Sequence, residues 1–331
     1  MSKIDFVKSG KLKYIILSVI AVLLIAAILL TAFIVDGCHK ADSEDIGVLA
    51  YGDKEYVLRG GVESFLIMGI DKTDEDITND SYNNDQQTDF LMLIVFDHIK
   101  KTYSTVHINR DTLAEVDIYG LTGKKIRTEK MQIALAHTYG DGKTLSDYNT
   151  AKSVSRLFYG ARVNHTISFT LDSVAEMNNL VGGVELELLD DFTQLDGGER
   201  LVKGNTVTLT DKEALLYVRS RAGLDDDTNV NRMRRQKQYI EALRLEFEKR
   251  MKEGVDNEFL HDVVDKMSEH TNADIQDLFD VNNNMQNYKF VETDSIAGES
   301  KLNEETKRME FLPDEDSIAE LAIALFYTSK G

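Results

Sequence analysis

The chain has 331 residues, a formal net charge of −19 at pH 7 and a single cysteine, Cys38. This acidity disfavours a nucleic-acid partner, because proteins that bind phosphate backbones present an excess of positive charge to them. One cysteine excludes a disulfide within the chain, so the folded part would depend on core packing.

The N-terminal region has the pattern of a membrane anchor. Residues 14–35 carry no charge and would span about 33 Å as a helix at ~1.5 Å per residue. Lysines dominate before this run and acidic residues follow it, so the positive-inside tendency places the N-terminus in the cytoplasm. We therefore predict a cytoplasmic tail over 1–13, a transmembrane helix over 14–35 and an extracellular stalk over 36–60.

Three apolar runs open the folded part and predict strands. The runs cover 64–70, 90–96 and 103–108. The first of them is continuously apolar, which indicates burial on both faces. Asp71, Asp89 and Arg110 come at the ends of these strands, where the sites of layered α/β folds usually lie.

Helices and further strands alternate along the middle of the chain. One helix is expected to begin with Asp172 as its cap and to stop at Gly182, a C-terminal glycine signal. Thr210, with Glu213 three residues later, has the pattern of a capping box at the start of another helix. Other predicted helices cover 129–138, 147–158 and 233–251, and further predicted strands cover 166–170 and 184–188.

The C-terminal part, 253–331, is expected to pack on the same domain as the preceding residues. It contains further helices and a predicted hairpin across 289–296 and 307–311. Its last helix, 317–326, is apolar enough to dock on the domain. We therefore predict one folded domain, whose principal part covers 61–252.

An arginine cluster stands against the overall charge of the chain. Five arginines fall within residues 219–235. Guanidinium groups match phosphate geometry, so this concentration indicates a multiply charged anion as ligand. The alternative is that these arginines pair with the acidic surface, which the chain has in excess.

The spacing of the cluster indicates which donors act together. Arg219 and Arg221 would point to one side of an extended segment. Arg232 and Gln236 are four apart and share a face of a helix. Two pairs of donors on two elements could thus hold two phosphates. Arg235 lies on a neighbouring face and is interpreted as solvated.

Asp71 and Asp89 are candidate metal ligands. Carboxylate oxygens suit Mg²⁺, which commonly takes one or two carboxylates and completes its shell with substrate phosphate oxygens and water. The alternative is that each residue merely ends a strand in a turn, a common role of aspartate. The acidic loop 72–87 has no EF-hand spacing and is interpreted as solvated.

Several short motifs in order give the chain a resemblance to the LytR-CpsA-Psr family. The predicted topology, a short cytoplasmic tail, one membrane helix and an extracellular domain, is similar to that of the family as well. The motifs are Thr88-Asp89, Asn109-Arg110-Asp111-Thr112, Ala136-His137-Thr138-Tyr139-Gly140-Asp141-Gly142, Val181-Gly182-Gly183-Val184, Val218-Arg219-Ser220-Arg221 and Arg232-Met233-Arg234-Arg235-Gln236.

The resemblance implies a fold and a reaction. The expected fold is an α/β/α layered one, with a central mixed sheet that forms an apolar pocket for a polyprenyl tail, and 61–252 as the catalytic domain. The expected reaction transfers a phosphoglycan, such as a teichoic acid or a capsule, from a polyprenyl-pyrophosphate carrier to peptidoglycan. The implied location is the cell membrane of a Gram-positive-type envelope, with the catalytic domain outside and no nucleic-acid partner.

The resemblance also implies roles for individual residues. Asp71 and Asp89 match the Mg²⁺ ligands of the family, with Mn²⁺ as an alternative metal. Asp111 matches a catalytic position and is expected to orient Arg110. The implied pyrophosphate-binding residues are Arg110, Arg219, Arg221, Arg232 and Gln236, of which Arg110, Arg219 and Arg221 are also expected to be catalytic.

Two departures from the family pattern leave every charged position in place. Asn109 stands where proline often precedes the Arg-Asp pair, and Asn229-Val230-Asn231 replaces a frequent aspartate and glycine. Three alternatives to a transferase stay open. They are a membrane-anchored module that binds the lipid pyrophosphate, a pyrophosphate hydrolase, and a regulator of envelope gene expression, which the short cytoplasmic tail disfavours.

Overall fold

A computed structural model describes residues 48–72, 84–120, 122–221, 224, 229–253, 271, 275–293 and 295–330. The predicted tail, the transmembrane segment and the first part of the stalk lie outside these residues, as does most of the acidic loop 72–87. Within the described ranges, no helix combines the length and the apolar character that crossing a bilayer requires.

The described residues form an alternation of strands and helices. The strands are β1 (Val48–Tyr51), β2 (Lys54–Leu58), β3 (Val62–Lys72), β4 (Gln86–Asp97), β5 (Thr102–His107), β6 (Leu113–Tyr119), β7 (Lys125–Gln132), β8 (His165–Thr170), β9 (Glu185–Glu187), β10 (Thr206–Thr208), β11 (Lys289–Phe290), β12 (Gly298–Leu302), β13 (Met309–Pro313) and β14 (Tyr327–Ser329). The helices are α1 (Thr144–Leu157), α2 (Ser173–Val181), α3 (Asp211–Arg219), α4 (Asn229–Glu253), α5 (Ile275–Asn287) and α6 (Glu315–Phe326), with a 3₁₀ helix at Ile133–Ala136.

The chain divides into two compact units. The first, here called the sheet unit, comprises Phe33–Ser168 and Tyr288–Gly331. The second, here called the helical unit, comprises the described residues of Phe169–Asn287. The residues from Tyr288 onward thus return to the unit in which the first strands lie.

The sheet unit is built on a five-stranded mixed sheet in the order β11-β5-β4-β3-β8. β4 pairs antiparallel with β3 and β5, whereas β11 runs parallel to β5. Leu66, Met68 and Leu93 point into a core that also contains side chains of α1 and α6. Phe65 and Phe96 are buried on the opposite face. The predicted mixed sheet and the burial of the first strand on both faces are therefore confirmed.

The last helix of the chain docks in this core, as predicted. The side chain of Asp314 accepts a hydrogen bond from the backbone N–H of Ser317 at 2.8 Å and so caps α6. Ile318, Ala322 and Leu325 recur at helical spacing and are buried in the core. The apolar stripe of α6 is therefore what ties the C-terminal part to the sheet.

Part of the predicted stalk belongs to the fold. β1 and β2 form a hairpin, and β14 pairs with β2 on its other edge. Leu49 is buried in the same core as the sheet. The stalk prediction is therefore wrong for 48–58. This segment looks merely polar in sequence, but its backbone hydrogen bonds are made by pairing with the distant strand β14.

Two other predicted elements differ in the structure. The predicted helix 129–138 is instead the end of β7 followed by the 3₁₀ helix, because 125–132 pairs with β6. The predicted hairpin across 289–296 and 307–311 is instead formed by β12 and β13, while β11 joins β5. In both cases strand pairing between distant residues outweighs the local pattern.

The helical unit confirms the predicted glycine signal and the predicted capping box, whereas the predicted cap by Asp172 is not formed among the residues that the structure describes. Gly182 ends α2 with a φ of +81°, a left-handed conformation that favours glycine. Asp172 precedes α2, but its side chain makes no capping hydrogen bond within the described residues. Thr210 and Glu213 form the predicted capping box at the start of α3. The long charged helix is α4, which begins four residues before the predicted start.

Candidate functional site

In the sheet unit, the predicted site residues gather at one end of β3 and β4. Asp71 is the cross-strand partner of Gln87, so the two side chains lie on the same face of the sheet. The register shifts beside Gly69, where Gly69 pairs with Phe90 and Ile70 pairs with Thr88, so Asp89 is the extra residue of a bulge. Bulges redirect side chains, and the side chain of Asp89 at this bulge contacts Arg110.

Arg110 follows β5 and reaches across to β4. Its guanidinium forms an ion pair with Asp89 and donates a hydrogen bond to the side-chain oxygen of Gln87. Its Nε lies 3.8 Å from Oδ1 of Asp111. The side chains of Arg110 and Asp89 are both almost completely buried. The structure thus brings Asp89, Arg110 and Asp111 together, with Asp71 one strand away.

Hydrogen bonds with two strands and a turn hold Asp111. Its backbone N–H donates to Oδ1 of Asn109 at 3.0 Å, and its Oδ1 accepts from Nε2 of Gln132 at 2.9 Å. Gln132 also donates to the carbonyl of Met309 at 2.7 Å. Asn109 therefore replaces the proline of the family pattern with a side chain that turns the backbone by hydrogen bonding. This arrangement is consistent with Asp111 orienting Arg110.

In the helical unit, Arg219 and Arg221 do not share an extended segment. Arg219 is the last residue of α3, and only Ser220, with φ −63° and ψ 141°, begins the extended backbone that leads to Arg221. The expectation that both side chains point to one side because of strand-like alternation is therefore wrong. α3 extends from Asp211 through Arg219, so Arg219 has helical backbone.

Arg232 and Gln236 share one face of α4, as predicted, and that face is buried. Their exposed fractions are 2% and 4%. Arg235 lies on the same buried face, with 1% exposed, so its interpretation as solvated is wrong. Positions three and four apart continue this stripe to Tyr239 and Leu243. The same spacing, read backwards from these apolar residues, could have revealed Arg235.

Arg235 supports the end of α3. Its Nε donates to the carbonyl of Tyr217 at 2.9 Å, its Nη2 donates to the carbonyl of Ser220, and its Nη1 lies 2.5 Å from Oδ2 of Asp190. Gln236 adds a hydrogen bond to the carbonyl of Val218 at 3.2 Å. The last carbonyls of a helix lack partners within the helix, so these donors hold the segment that carries Arg219 and Arg221.

The surroundings of Arg235 are aromatic and buried. Its guanidinium carbon lies 5.4 Å from the ring centre of Phe192 and 6.0 Å from that of Tyr217. Burial raises the pKa of Tyr217 to about 12, so this phenol stays neutral and donates to Gln238 at 2.5 Å. Arg232 contacts Oδ1 of Asn229, which takes the place of the aspartate frequent in the family.

Sequence reasoning missed Gln87, Gln132, Asp190 and Arg235. Gln87 and Gln132 carry no charge and belong to strands, so only the observed register brings them to Arg110 and Asp111. Asp190 lies in a loop and is recognised only through its contact with Arg235. No local pattern identified the first three of these residues.

The sheet end carries oxygen atoms of the type that Mg²⁺ prefers. Asp71 and Asp89 have carboxylates and Gln87 has an amide oxygen, and the oxygens of Asp89 and Gln87 contact Arg110 in this structure. In the part of the chain that the structure describes, no group of three or more histidine, cysteine, aspartate or glutamate side chains is arranged to hold a metal ion. The predicted pair is a smaller set and stays a prediction.

Comparison with known proteins decides the family. The model of the LytR_cpsA_psr family matches residues 42–325. The chain belongs to this family. The family resemblance that the motifs predicted is therefore confirmed, and so is the mixed α/β fold that it implied.

Relatives within the LytR_cpsA_psr family include proteins named polyisoprenyl-teichoic acid–peptidoglycan teichoic acid transferase TagU. The relative from Bacillus anthracis (strain CDC 684 / NRRL 3495) is 26% identical over 189 residues, which are 57% of this chain and 54% of the relative. The chain thus spans about half the length of this curated relative. The relative from Enterococcus faecalis (strain ATCC 700802 / V583) is 24% identical over 238 residues, or 71% of each chain.

Solved structures of family members share the fold. A structure titled "TagT bound to LI-WTA" has a TM-score of 0.56 and 20% identity, and the match covers 80% of this chain and 90% of that one. A TagT structure with bound octaprenyl pyrophosphate lipid has a TM-score of 0.53 and 19% identity, with 80% and 89% covered. At these identities the likeness establishes the fold alone.

Proposed function

We propose that this protein transfers a phosphoglycan from a polyprenyl-pyrophosphate carrier to peptidoglycan. The observation that carries the proposal is the buried face of α4, where Arg232 and Gln236 lie beside Arg235 in a chain of net charge −19. Cationic and amide side chains fixed in a buried position suit a multiply charged phosphate ligand. Membership of a family with teichoic acid transferases supports the same reading.

The proposed chemistry exchanges a phosphoanhydride linkage for a phosphodiester. A sugar hydroxyl of peptidoglycan attacks the phosphorus that carries the glycan and gives up its proton, the bond from that phosphorus to the bridging oxygen breaks, and polyprenyl monophosphate leaves. Arg219 and Arg221 are proposed to bind the pyrophosphate and to stabilise the negative charge that develops on the leaving phosphate. Arg232 and Gln236 are proposed to fix the position of the pyrophosphate.

Arg235 is a positioning residue in this proposal. It holds the carbonyls of Tyr217 and Ser220 and so sets the backbone on both sides of Arg219. Precise placement matters because a charge displaced from the reacting atoms loses much of its effect on the rate. The ion pair with Asp190 neutralises the charge of Arg235, so we assign this residue to the support of α3 and not to the ligand.

The sheet end is proposed to contribute through Asp71, Asp89, Arg110 and Asp111. Arg110 would bind a phosphate oxygen, and Asp111 would keep its guanidinium in place through the contact at 3.8 Å. Asp71 and Asp89 would hold Mg²⁺, with Mn²⁺ as the alternative. Such an ion, when bound, neutralises phosphate charge and makes the phosphorus easier to attack.

The proposal includes a location. Residues 14–35 would anchor the protein in the membrane, so that the carrier lipid and the catalytic part meet at the outer face. The polyprenyl tail would lie in an apolar pocket of the fold. The acceptor and the glycan carrier are both envelope components, which fits an extracellular domain.

The test uses the full chain in detergent micelles with a polyprenyl-pyrophosphate-linked disaccharide and nascent peptidoglycan. Transfer is measured as lipid-linked sugar that appears in the wall fraction, with Mg²⁺ or with a chelator. We expect Mg²⁺-dependent transfer that Arg219→Ala abolishes. The matched control is Arg234→Ala, because Arg234 is exposed on the opposite side of α4 from the buried stripe.

Other results would redirect the proposal. Tight binding of the lipid without transfer to any acceptor would identify a binding module instead. Release of polyprenyl monophosphate without sugar in the wall would identify a hydrolase. Unchanged transfer in Asp89→Ala would remove the assignment of this residue as a metal ligand.

A further inference from the structure

A second concentration of positive charge lies in the sheet unit, around the buried carboxylate of Asp117 on β6. Nη1 of Arg156 donates to Oδ1 at 2.8 Å, and Nζ of Lys125 lies 3.0 Å from the same oxygen. Nζ of Lys152 lies 3.2 Å from Oδ2, and the hydroxyl of Thr128 donates to Oδ1 at 2.6 Å. Three cationic side chains therefore meet at a single carboxylate.

This carboxylate needs fewer cations than it has. Arg156 alone satisfies both oxygens of Asp117, at 2.8 Å and 3.3 Å through its two terminal nitrogens. Lys125 and Lys152 then add positive charge that repels the guanidinium. Glu115 is an acidic side chain at the edge of the cluster, 3.9 Å from Nε of Arg156, and it is mostly exposed. Three positive charges thus lie against the single negative charge of Asp117, an arrangement that an anionic ligand would complement.

The lysines cover Asp117 and face solvent on their outer side. Asp117 is completely buried, whereas the side chains of Lys125 and Lys152 are 38% and 20% exposed. Tyr148 lies one turn before Lys152 on α1 and is 37% exposed, with Nζ of Lys152 6.0 Å from its ring centre. A partly exposed aromatic ring beside cations suits a sugar that carries phosphate, because such a ring can pack against the apolar face of the sugar.

The cluster is built by the fold and not by one flexible segment. β6 places Asp117, and the register of the hairpin puts Lys125 opposite Tyr119. Lys152 and Arg156 are four apart on α1, so they approach Asp117 from the same helix face. Two strands and one helix therefore fix the positions of the charged groups.

The cluster lies within reach of the proposed pyrophosphate-binding residue of the same unit. Arg110 and Asp117 are seven residues apart, which is at most about 23 Å at ~3.3 Å per residue of extended chain. A polymer whose first sugar phosphate lies at Arg110 could reach this distance with its following residues. A second, weaker contact with the polymer is therefore geometrically compatible with the proposed function.

We propose that Lys125, Lys152 and Tyr148, above the pair of Arg156 and Asp117, form a subsite for a phosphodiester-linked sugar of the glycopolymer cargo. The proposal rests on the proposed function for the identity of the polymer. Its own basis is the excess of cations at a buried carboxylate beside an exposed aromatic ring.

The test measures binding of an oligomer of phosphodiester-linked N-acetylglucosamine to the full chain in detergent micelles by calorimetry. We expect binding that weakens as salt is raised, because the contact is largely electrostatic. Lys125→Gln combined with Lys152→Gln should weaken it about tenfold, the sum of two exposed ion pairs. The pair of Arg156 and Asp117 remains in this variant, and an unchanged melting temperature would show that it folds.

A matched control separates the subsite from the general charge of the hairpin. Lys124→Gln combined with Lys130→Gln removes the same charge from the same hairpin without touching Asp117, and should weaken binding less than about threefold. Equal losses in the two double variants would overturn the subsite. Tyr148→Ala should weaken binding of the oligomer and leave binding of inorganic phosphate unchanged. Equal weakening of binding for both ligands would overturn the role of the ring.

Two further probes test the class of ligand. A chitin oligomer, which is neutral, should not bind, and a hyaluronan oligomer, which carries carboxylates, should bind less tightly than the phosphodiester. Equal binding of hyaluronan, or no binding of the phosphodiester, would overturn the proposal. Failure of the transferase proposal is distinguishable, because the wild type would then bind the phosphodiester oligomer and transfer no disaccharide from the lipid carrier.

Discussion

The end of the sheet and the buried face of α4 fix their charged residues in different ways. At the sheet end, strand register sets Asp71 beside Gln87, and Arg110 meets Asp89 across from β5 to β4. On α4, Arg235 itself holds the backbone by donating to carbonyls at the end of α3. In the sheet unit the backbone positions the side chains, whereas in the helical unit a side chain positions the backbone.

The difference indicates what mutation should do in each region. A side chain placed by strand register can be changed without loss of the ladder that places it. A side chain that supports a helix end carries part of the fold, and its removal also leaves its ion-pair partner buried. Function and stability should therefore separate at the sheet end and change together on α4.

The largest effect is expected for Arg235→Gln. The free energy of unfolding of the full chain should fall by about 3–5 kcal/mol, because Asp190 would stay buried without its cation. Transfer should fall as well, since Arg219 and Arg221 lose their support. Denaturant unfolding measures the first quantity, and the double variant Arg235→Met with Asp190→Leu should recover much of it. A loss of stability below about 1 kcal/mol would show that Arg235 does not support the fold of the helical unit.

The next largest effect separates function from stability at the sheet end. Asp89→Asn keeps the size of the side chain and an oxygen that can accept from Arg110, but it removes the charge. Transfer should fall about a hundredfold, and stability should fall less than in Arg235→Gln, because Asp111 still lies 3.8 Å from Nε of Arg110. Transfer assays with Mg²⁺ and thermal unfolding measure the two effects. A large loss of stability with intact transfer would show that Asp89 serves the fold and not the reaction.

A smaller effect is expected at the start of α3. Thr210→Ala removes the side chain that accepts from the backbone N–H of Glu213 in the capping box. The free energy of unfolding should fall by about 1 kcal/mol. Lys212→Ala, on the exposed side of the same turn, is the control and should change stability by less than about 0.5 kcal/mol. An equal effect of both variants would show that the cap does not secure α3.

The smallest effect concerns pH. Burial raises the pKa of Glu213, but hydrogen bonds from Arg200 and Thr210 outweigh it, so the pKa lies below its ordinary value. A lowered pKa in the folded state contributes stability above the unfolded value, and this contribution is lost as the pH falls through the folded value. As the pH falls below the ordinary value of about 4.5, Glu213→Gln should lose less stability than the wild type. Denaturant unfolding at several pH values measures this difference. An equal loss of stability in the variant and the wild type would contradict the role of Glu213.

The sequence could predict much of the fold because the relevant signals are local. Apolar runs marked β3 to β5, glycine marked the end of α2, and the Thr210–Glu213 spacing marked the start of α3. Spacing along one helix was enough to place Arg232 and Gln236 on one face of α4. The order of short motifs predicted the family that the comparison confirmed.

Other features could not be predicted because they depend on pairing between distant residues. β7 replaces a predicted helix because it pairs with β6, and β1 and β2 join the fold because β14 completes their sheet. Arg219 ends a helix instead of opening an extended segment. In each case the deciding interaction comes from another part of the chain.

The sequence by itself determined the charged residue types, the caps, the helix faces and the family. These follow from neighbours within a few positions, whose geometry is the same in any protein. Only the tertiary structure decided that Asp89 meets Arg110, that Arg235 is buried against Asp190, and that three cations surround Asp117. Such contacts depend on strand register and on the burial of charge, which are properties of the folded chain as a whole.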